Sequence, residues 1–151
     1  MVYKIPPGIT GFVEVYKIDC PQFKILCYSL QGLGLLKVIE VSALAYPDCV
    51  SRAKVKDKED EFYIYLNNGA LIFGFSKLDS PQKLQGSFID KALIKDALEK
   101  LDVRYSVVSA NILNSEVTKD NFVLLDKFEY EQVLYWYPHT IGEVIFSTNF
   151  D

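Results

Sequence analysis

The stretch Glu61-Phe-Tyr-Ile-Tyr-Leu-Asn-Asn-Gly-Ala-Leu-Ile-Phe-Gly-Phe-Ser76 decides the fold class. Asn68-Gly69 separates two runs of aromatic and branched residues, which pack well on a pleated surface. Asn and Gly tolerate the positive φ angles of a type I′ turn, whose twist matches the strands on either side. The stretch therefore predicts a β-hairpin.

Upstream, Pro6-Pro7-Gly8 is a breaker and residues 11–18 read as a strand. Asp19-Cys20-Pro21 interrupts it, and 23–30 resumes as a second strand with both faces apolar. Gln31-Gly-Leu-Gly34 reads as a loop. Residues 35–46 favour a strand because of Val38, Ile39 and Val41. The charged 52–61 stretch reads as an exposed loop or strand end. Downstream, Ser80-Pro81 is a helix-start signature. Ile89, Leu93, Ile94, Ala97, Leu98 and Leu101 fall on one face at a 3.6-residue period, which predicts a helix over 87–101. Asp90 suits the positive end of its dipole, and Asp96 and Lys100 are spaced to pair. A strand pattern returns over 104–113. Residues 115–125 suit a short helix beginning near Thr118, and 130–137 a last strand ended by Pro138. Thr140-Ile-Gly-Glu143 fits a capping box, so a short C-terminal helix should dock Ile141, Val144 and Ile145 on the sheet. The expectation is an α+β fold with a mostly antiparallel sheet, in one domain over residues 1–151.

The net charge of −4 is unevenly spread. Residues 1–58 sum to +3, residues 59–115 to −2 and residues 116–151 to −5. An acidic last third argues against binding a phosphate backbone and suits a basic protein partner. Cys20, Cys27 and Cys49 have no CxxC spacing and imply neither a disulfide framework nor a zinc site. They read as buried thiols in a reducing compartment. No leader pattern and no apolar run of membrane-spanning length is present. The expected location is the cytoplasm, with no membrane partner.

Little in the chain carries a known chemistry. His139 is the only histidine, so HExxH is impossible and a nucleophile–base pair has few candidates. Asp57-Lys-Glu-Asp-Glu61 lacks the glycine and ligand spacing of a calcium loop and reads as a solvated turn. Gly32-Leu-Gly34 begins like a dinucleotide fingerprint, but the next required glycine is Lys37. The expectation is no catalytic residue, no cofactor and no metal. Trp136 and its neighbours Tyr135 and Tyr137 sit among acids, which disfavours base stacking. On a strand Tyr135 and Tyr137 would point one way and Trp136 the other. Glu129 and Glu131 would share one face. Core packing and an interface hot spot are both open readings of these rings.

The ending Leu134-Tyr-Trp-Tyr-Pro-His-Thr-Ile-Gly-Glu-Val-Ile-Phe146, closing on Phe150-Asp151, resembles the C-termini of small bacterial immunity proteins. Those proteins protect a cell from polymorphic or contact-dependent toxins. The resemblance covers about the last 20 residues, and Phe150 stands where a terminal Trp-Asp would carry Trp. It implies a small, cytoplasmic, non-catalytic protein that occludes a toxin's active site. Glu129, Glu131, Tyr135 and Tyr137 are the expected partner-binding residues, facing a basic toxin domain. The alternatives are a small enzyme or ligand-binding domain using carboxylates and tyrosines, and a homo-oligomeric structural domain.

Overall fold

The hairpin forms as expected, but with a different turn. The structure is a computed structural model that describes residues 2–9, 20–42, 50–77, 87–135 and 138–146. Strands β3 (Glu61–Asn67) and β4 (Ile72–Ser76) pair antiparallel, Asn67 opposite Ile72. Residues 68–71 make the connection, and positive φ falls on Leu71 (56°) rather than on Asn68 or Gly69. A type I′ turn is thus replaced by a longer one, which the Asn67 side chain organises. Its Oδ1 accepts from the Gly69 and Ala70 amides at 3.0 and 3.1 Å. Gly69 is needed for space: a Cβ there would lie 1.9 Å from the Gly8 carbonyl oxygen.

The hairpin sits inside a sheet ordered β1 (Lys37–Ser42), β2 (Val50–Lys56), β3, β4, all antiparallel. Two short strands share the far side of β4. β5 (Phe88–Ile89) pairs antiparallel with its end, and β6 (Ser106–Val107) pairs parallel with its start. The α+β class and the mostly antiparallel sheet are as expected.

Both faces of the sheet are covered. Phe62, Ile64 and Leu66 of β3, with Phe73 and Phe75 of β4, point into one core. Helices α1 (Cys20–Gly32) and α2 (Ala92–Leu101) close it with Phe23, Cys27, Leu30, Ile94 and Leu98. Tyr65 and Ile72 point into a second core, shared with Ile5, Ile9, Val133, Ile141, Val144, Ile145 and Phe146. That layer is built from α3 (Ala110–Leu113), α4 (Lys127–Tyr135), α5 (Ile141–Phe146) and the N-terminal segment. Gly74 leaves room for Phe146, whose ring would lie 2.6 Å from a Cβ there. Burial on both sides explains why β3 and β4 read as continuous apolar runs.

Several sequence readings are corrected. Residues 23–30 are helical, not a strand: Phe23, Leu26, Cys27 and Leu30 are buried at i, i+3, i+4 and i+7, while Lys24, Ile25, Tyr28 and Ser29 are exposed. A helix with an apolar outer residue such as Ile25 mimics a two-faced strand. Pro21, read as a breaker, lies in the first turn of α1. Gly34 (φ 77°) ends α1, with the Leu35 amide donating back to the Leu30 carbonyl at 3.2 Å. The 52–61 stretch divides: 52–56 is the end of β2, which turns Ala53 and Val55 inward and Arg52, Lys54 and Lys56 away from that core, and 57–60 is the turn into β3. The 87–101 helix begins only at Ala92, and the Asp90 carboxylate accepts from the Ala110 amide at 2.9 Å instead of capping α2. Of 104–113 only Ser106–Val107 is strand, followed by α3. A 3-10 turn, Lys119–Phe122, forms after Thr118. The expected strand over 130–137 is α4 as far as Tyr135. Cys27 is buried, and burial pushes its thiol up to about 12. The readings at 11–18, Ser80-Pro81, Cys49, Trp136 and Tyr137 lie outside the described residues.

Candidate functional site

Helix α4 begins because Asp126 caps it. The Asp126 Oδ1 accepts from the Glu129 amide at 2.8 Å, and its carbonyl accepts from the Tyr130 amide. An Asp followed three residues later by Glu is the sequence signal that marks this start. One side of the helix enters the second core through Val133, and the Tyr130 ring meets Phe122 edge-on at 5.6 Å.

The turn of a helix separates the two glutamates that a strand would have aligned. Two residues on a helix are about 200° apart. Glu129 is fully buried, and its Oε1 accepts from the Gly8 amide at 2.8 Å. Gly8 adopts φ 95°, open to glycine without strain, so the N-terminal turn is held between α4 and the hairpin turn. Glu129 is therefore a structural anchor and has no place on the outward face. Glu131 is exposed, 4.0 Å from Lys127.

The outward face of α4 carries Phe128 (51% exposed), Glu131, Leu134 (44%) and Tyr135 (71%). Val123 and Leu124, just upstream, are exposed as well. At the C-terminal end of α4 an open groove of about 480 Å³ is lined by Val117, Phe122, Leu134, Pro138 and His139. Its walls are tied together. The Val117 amide donates to the His139 carbonyl at 3.1 Å, the Ile141 amide to the Ser115 carbonyl at 3.0 Å, and Glu116 pairs with Thr140. The Thr140 hydroxyl accepts from the Glu143 amide at 3.2 Å, as the capping box predicts. Glu143 reaches back to the His139 amide at 2.9 Å, one residue before the expected one. His139 itself is exposed.

A second cleft, about 360 Å³, lies between the β2–β3 turn and the start of α2. Lys91 sits there almost buried, 2.8 Å from Asp57, 3.0 Å from Asp60 and 3.8 Å from Glu59, its ammonium 4.7 Å from the Phe62 ring centre. The acidic turn expected to be merely solvated thus grips a lysine 31 residues downstream of Asp60. Burial pushes the Asp57 carboxyl up, but the Lys91 ammonium and the Asp60 and Glu59 amides outweigh it, and the net shift is down. Burial lowers Lys91, yet Asp57 and Asp60 outweigh that and raise it.

The sign of each shift sets its pH dependence. Asp57 contributes stability above its ordinary value of 3.8 and loses it as pH falls through the lowered one. Lys91 contributes below 10.5 and loses it as pH rises through the raised value. Lys91→Met is therefore expected to cost about 2 kcal/mol at neutral pH, between an exposed pair and a fully buried one. The cost should be flat between those limits and shrink in acid. Thermal unfolding of both proteins against pH checks this, and a difference that grows on acidification would contradict it.

Catalysis by a carboxylic acid near neutral pH asks for a raised pKa. Among the described residues the shifted carboxyls, Asp57 and Asp102, both go down. Asp102 falls to about 2 through its hydrogen bonds with Arg104. Among the described residues no cluster of His, Cys, Asp and Glu suits a metal, and no helix is long and apolar enough to cross a membrane. Fold and surface together define an α+β protein with a partly apolar, acid-bearing helix face. No family model, curated protein or solved structure matches this chain.

Proposed function

We propose that this is a non-catalytic binding protein of the immunity type, which neutralises a cognate bacterial toxin in the cytoplasm by occluding its active site. The observation that carries the reading is the outward face of α4, where Phe128, Leu134 and Tyr135 remain exposed beside Glu131. Contiguous exposed apolar surface marks interaction sites, and tyrosines are enriched among residues that dominate binding. The acidic last third favours a basic partner surface. Tight binding would bury roughly 1,600 Å² in all. Tyr137, expected beside Tyr135, belongs to the same proposal by sequence only.

The test is co-expression with the product of the adjacent gene. Protection from that product and co-purification with it are expected. Tyr135→Ala should weaken the complex about tenfold or more, and Glu131→Lys mainly slow its formation. A neighbour that is no toxin, together with no protection, ends the reading. The same exposed face favours self-association as a second reading. Light scattering that shows a concentration-independent monomer removes that one.

A further inference from the structure

We infer that the groove at the C-terminal end of α4 receives one bulky apolar side chain from a lysine- and arginine-rich segment of a partner protein. The inference rests on the proposed binding role and assigns the partner's anchor. Four of the five lining residues, Val117, Phe122, Leu134 and Pro138, are apolar, with His139 completing the wall. Its volume of about 480 Å³ falls in the range that holds a ligand group, while its openness to solvent suits a protruding side chain.

The groove is also preformed. The backbone bonds between 115–117 and 139–141 hold one wall, and the Asp126 cap holds the helix that forms the other. A rigid receptor loses little entropy on binding, so a single anchor is worth more there. The surrounding charge then selects the occupant. Glu116 follows from the bridge to Thr140 at one lip, Asp120 lies in the turn that carries Phe122, and Glu131 is one helical turn before Leu134. Within residues 116–135 the exposed acids Glu116, Asp120, Asp126 and Glu131 outnumber the lysines Lys119 and Lys127, and Lys127 lies 4.0 Å from Glu131. An anionic lipid or nucleic acid would be repelled, whereas a cationic segment is attracted.

The test uses the full chain, labelled for NMR, and three synthetic peptides of equal length: Phe flanked by lysines, Phe flanked by glutamates, and Ala flanked by lysines. Only the first is expected to shift the amides of Val117, Phe122, Leu134 and His139. Leu134→Ser should weaken that response at least tenfold and Glu131→Lys several-fold, with the thermal transition of each variant kept. Shifts elsewhere, equal responses to the glutamate or alanine peptide, or indifference to Leu134→Ser overturn the inference. So do the same shifts on raising protein concentration alone, which would put a second copy in the groove. Normal toxin neutralisation by the Leu134→Ser protein would sink the groove and spare the proposed function. A groove that binds the lysine–Phe peptide in a protein that protects against nothing would do the reverse.

Discussion

Ending the chain before Val133 is expected to unfold the protein, not merely to abolish binding. Val133, Val144, Ile145 and Phe146 have no exposed surface, and Ile141 has 3%. Phe146 packs between the rings of Tyr65 and Phe88, 5.7 Å from each, and fills the space left by Gly74. Each such side chain stabilises by about 1.5–3 kcal/mol through burial. Five of them together match the roughly 5–15 kcal/mol that holds a whole domain. The loss also uncovers Tyr65 and Ile72 on the sheet and breaks the bridge between Glu116 and Thr140. Circular dichroism of residues 1–132 should show no cooperative thermal transition. A truncate that melts cooperatively would mean that the second core is dispensable.

Replacing Asn67 with alanine is expected to cost roughly 4 kcal/mol, because buried groups left without partners cost about 1–3 kcal/mol each. The Asn67 amide donates to the Ile9 carbonyl at 2.8 Å and the Ile145 carbonyl at 2.6 Å. Its oxygen holds the Gly69 and Ala70 amides. One fully buried side chain thus joins the hairpin turn to the N-terminal segment and to α5. Asn67→Asp keeps the shape and the acceptor but turns carboxylate oxygen towards two carbonyls, so it should be no milder. Urea unfolding measures both. An Asn67→Ala protein within about 1 kcal/mol of the original, the size of an average substitution, would refute this account.

Asn67 also shows where sequence reading stops. Asn68-Gly69 has the composition of a turn pair, and the hairpin does form there. The residue that organises the turn is the one before it, and two of its partners lie 58 and 78 residues away. β2 was hidden for a related reason. Its charged residues alternate with Ala53 and Val55, but a run so rich in lysine reads equally as a loop or a strand end until the core under one face is visible. Residues 23–30 and 130–135 are helical where composition points to strand. Aromatic and branched residues suggested strands, while the burial of Phe23, Leu26, Cys27 and Leu30 follows the helical period.

Of the candidate partner residues, Glu131 and Tyr135 lie on the outward face, and Tyr137 lies outside the described residues. Alternation on a strand would put Glu129 beside Glu131; on the helix it turns inward instead. The Asp126-to-Glu129 spacing was a usable signal for a helix start, and it would have separated the two acids.

By itself the sequence determined what depends on neighbours within a few residues: the hairpin, the helix over 92–101 with Ile94 and Leu98 turned inward (though Leu93 and Leu101 of the expected stripe are exposed and Ile89 lies in β5), and the cap from Thr140 to Glu143. These follow from local sterics, periodicity and hydrogen bonds across one turn. Only the tertiary structure decided which glutamate is anchor and which is surface. Burying the Glu129 side chain requires donors in the dry interior, and one of them is the Gly8 amide, 121 residues earlier in the chain. No local pattern contains that pairing, because the hydrogen bond that makes a buried polar side chain tolerable comes from a distant segment.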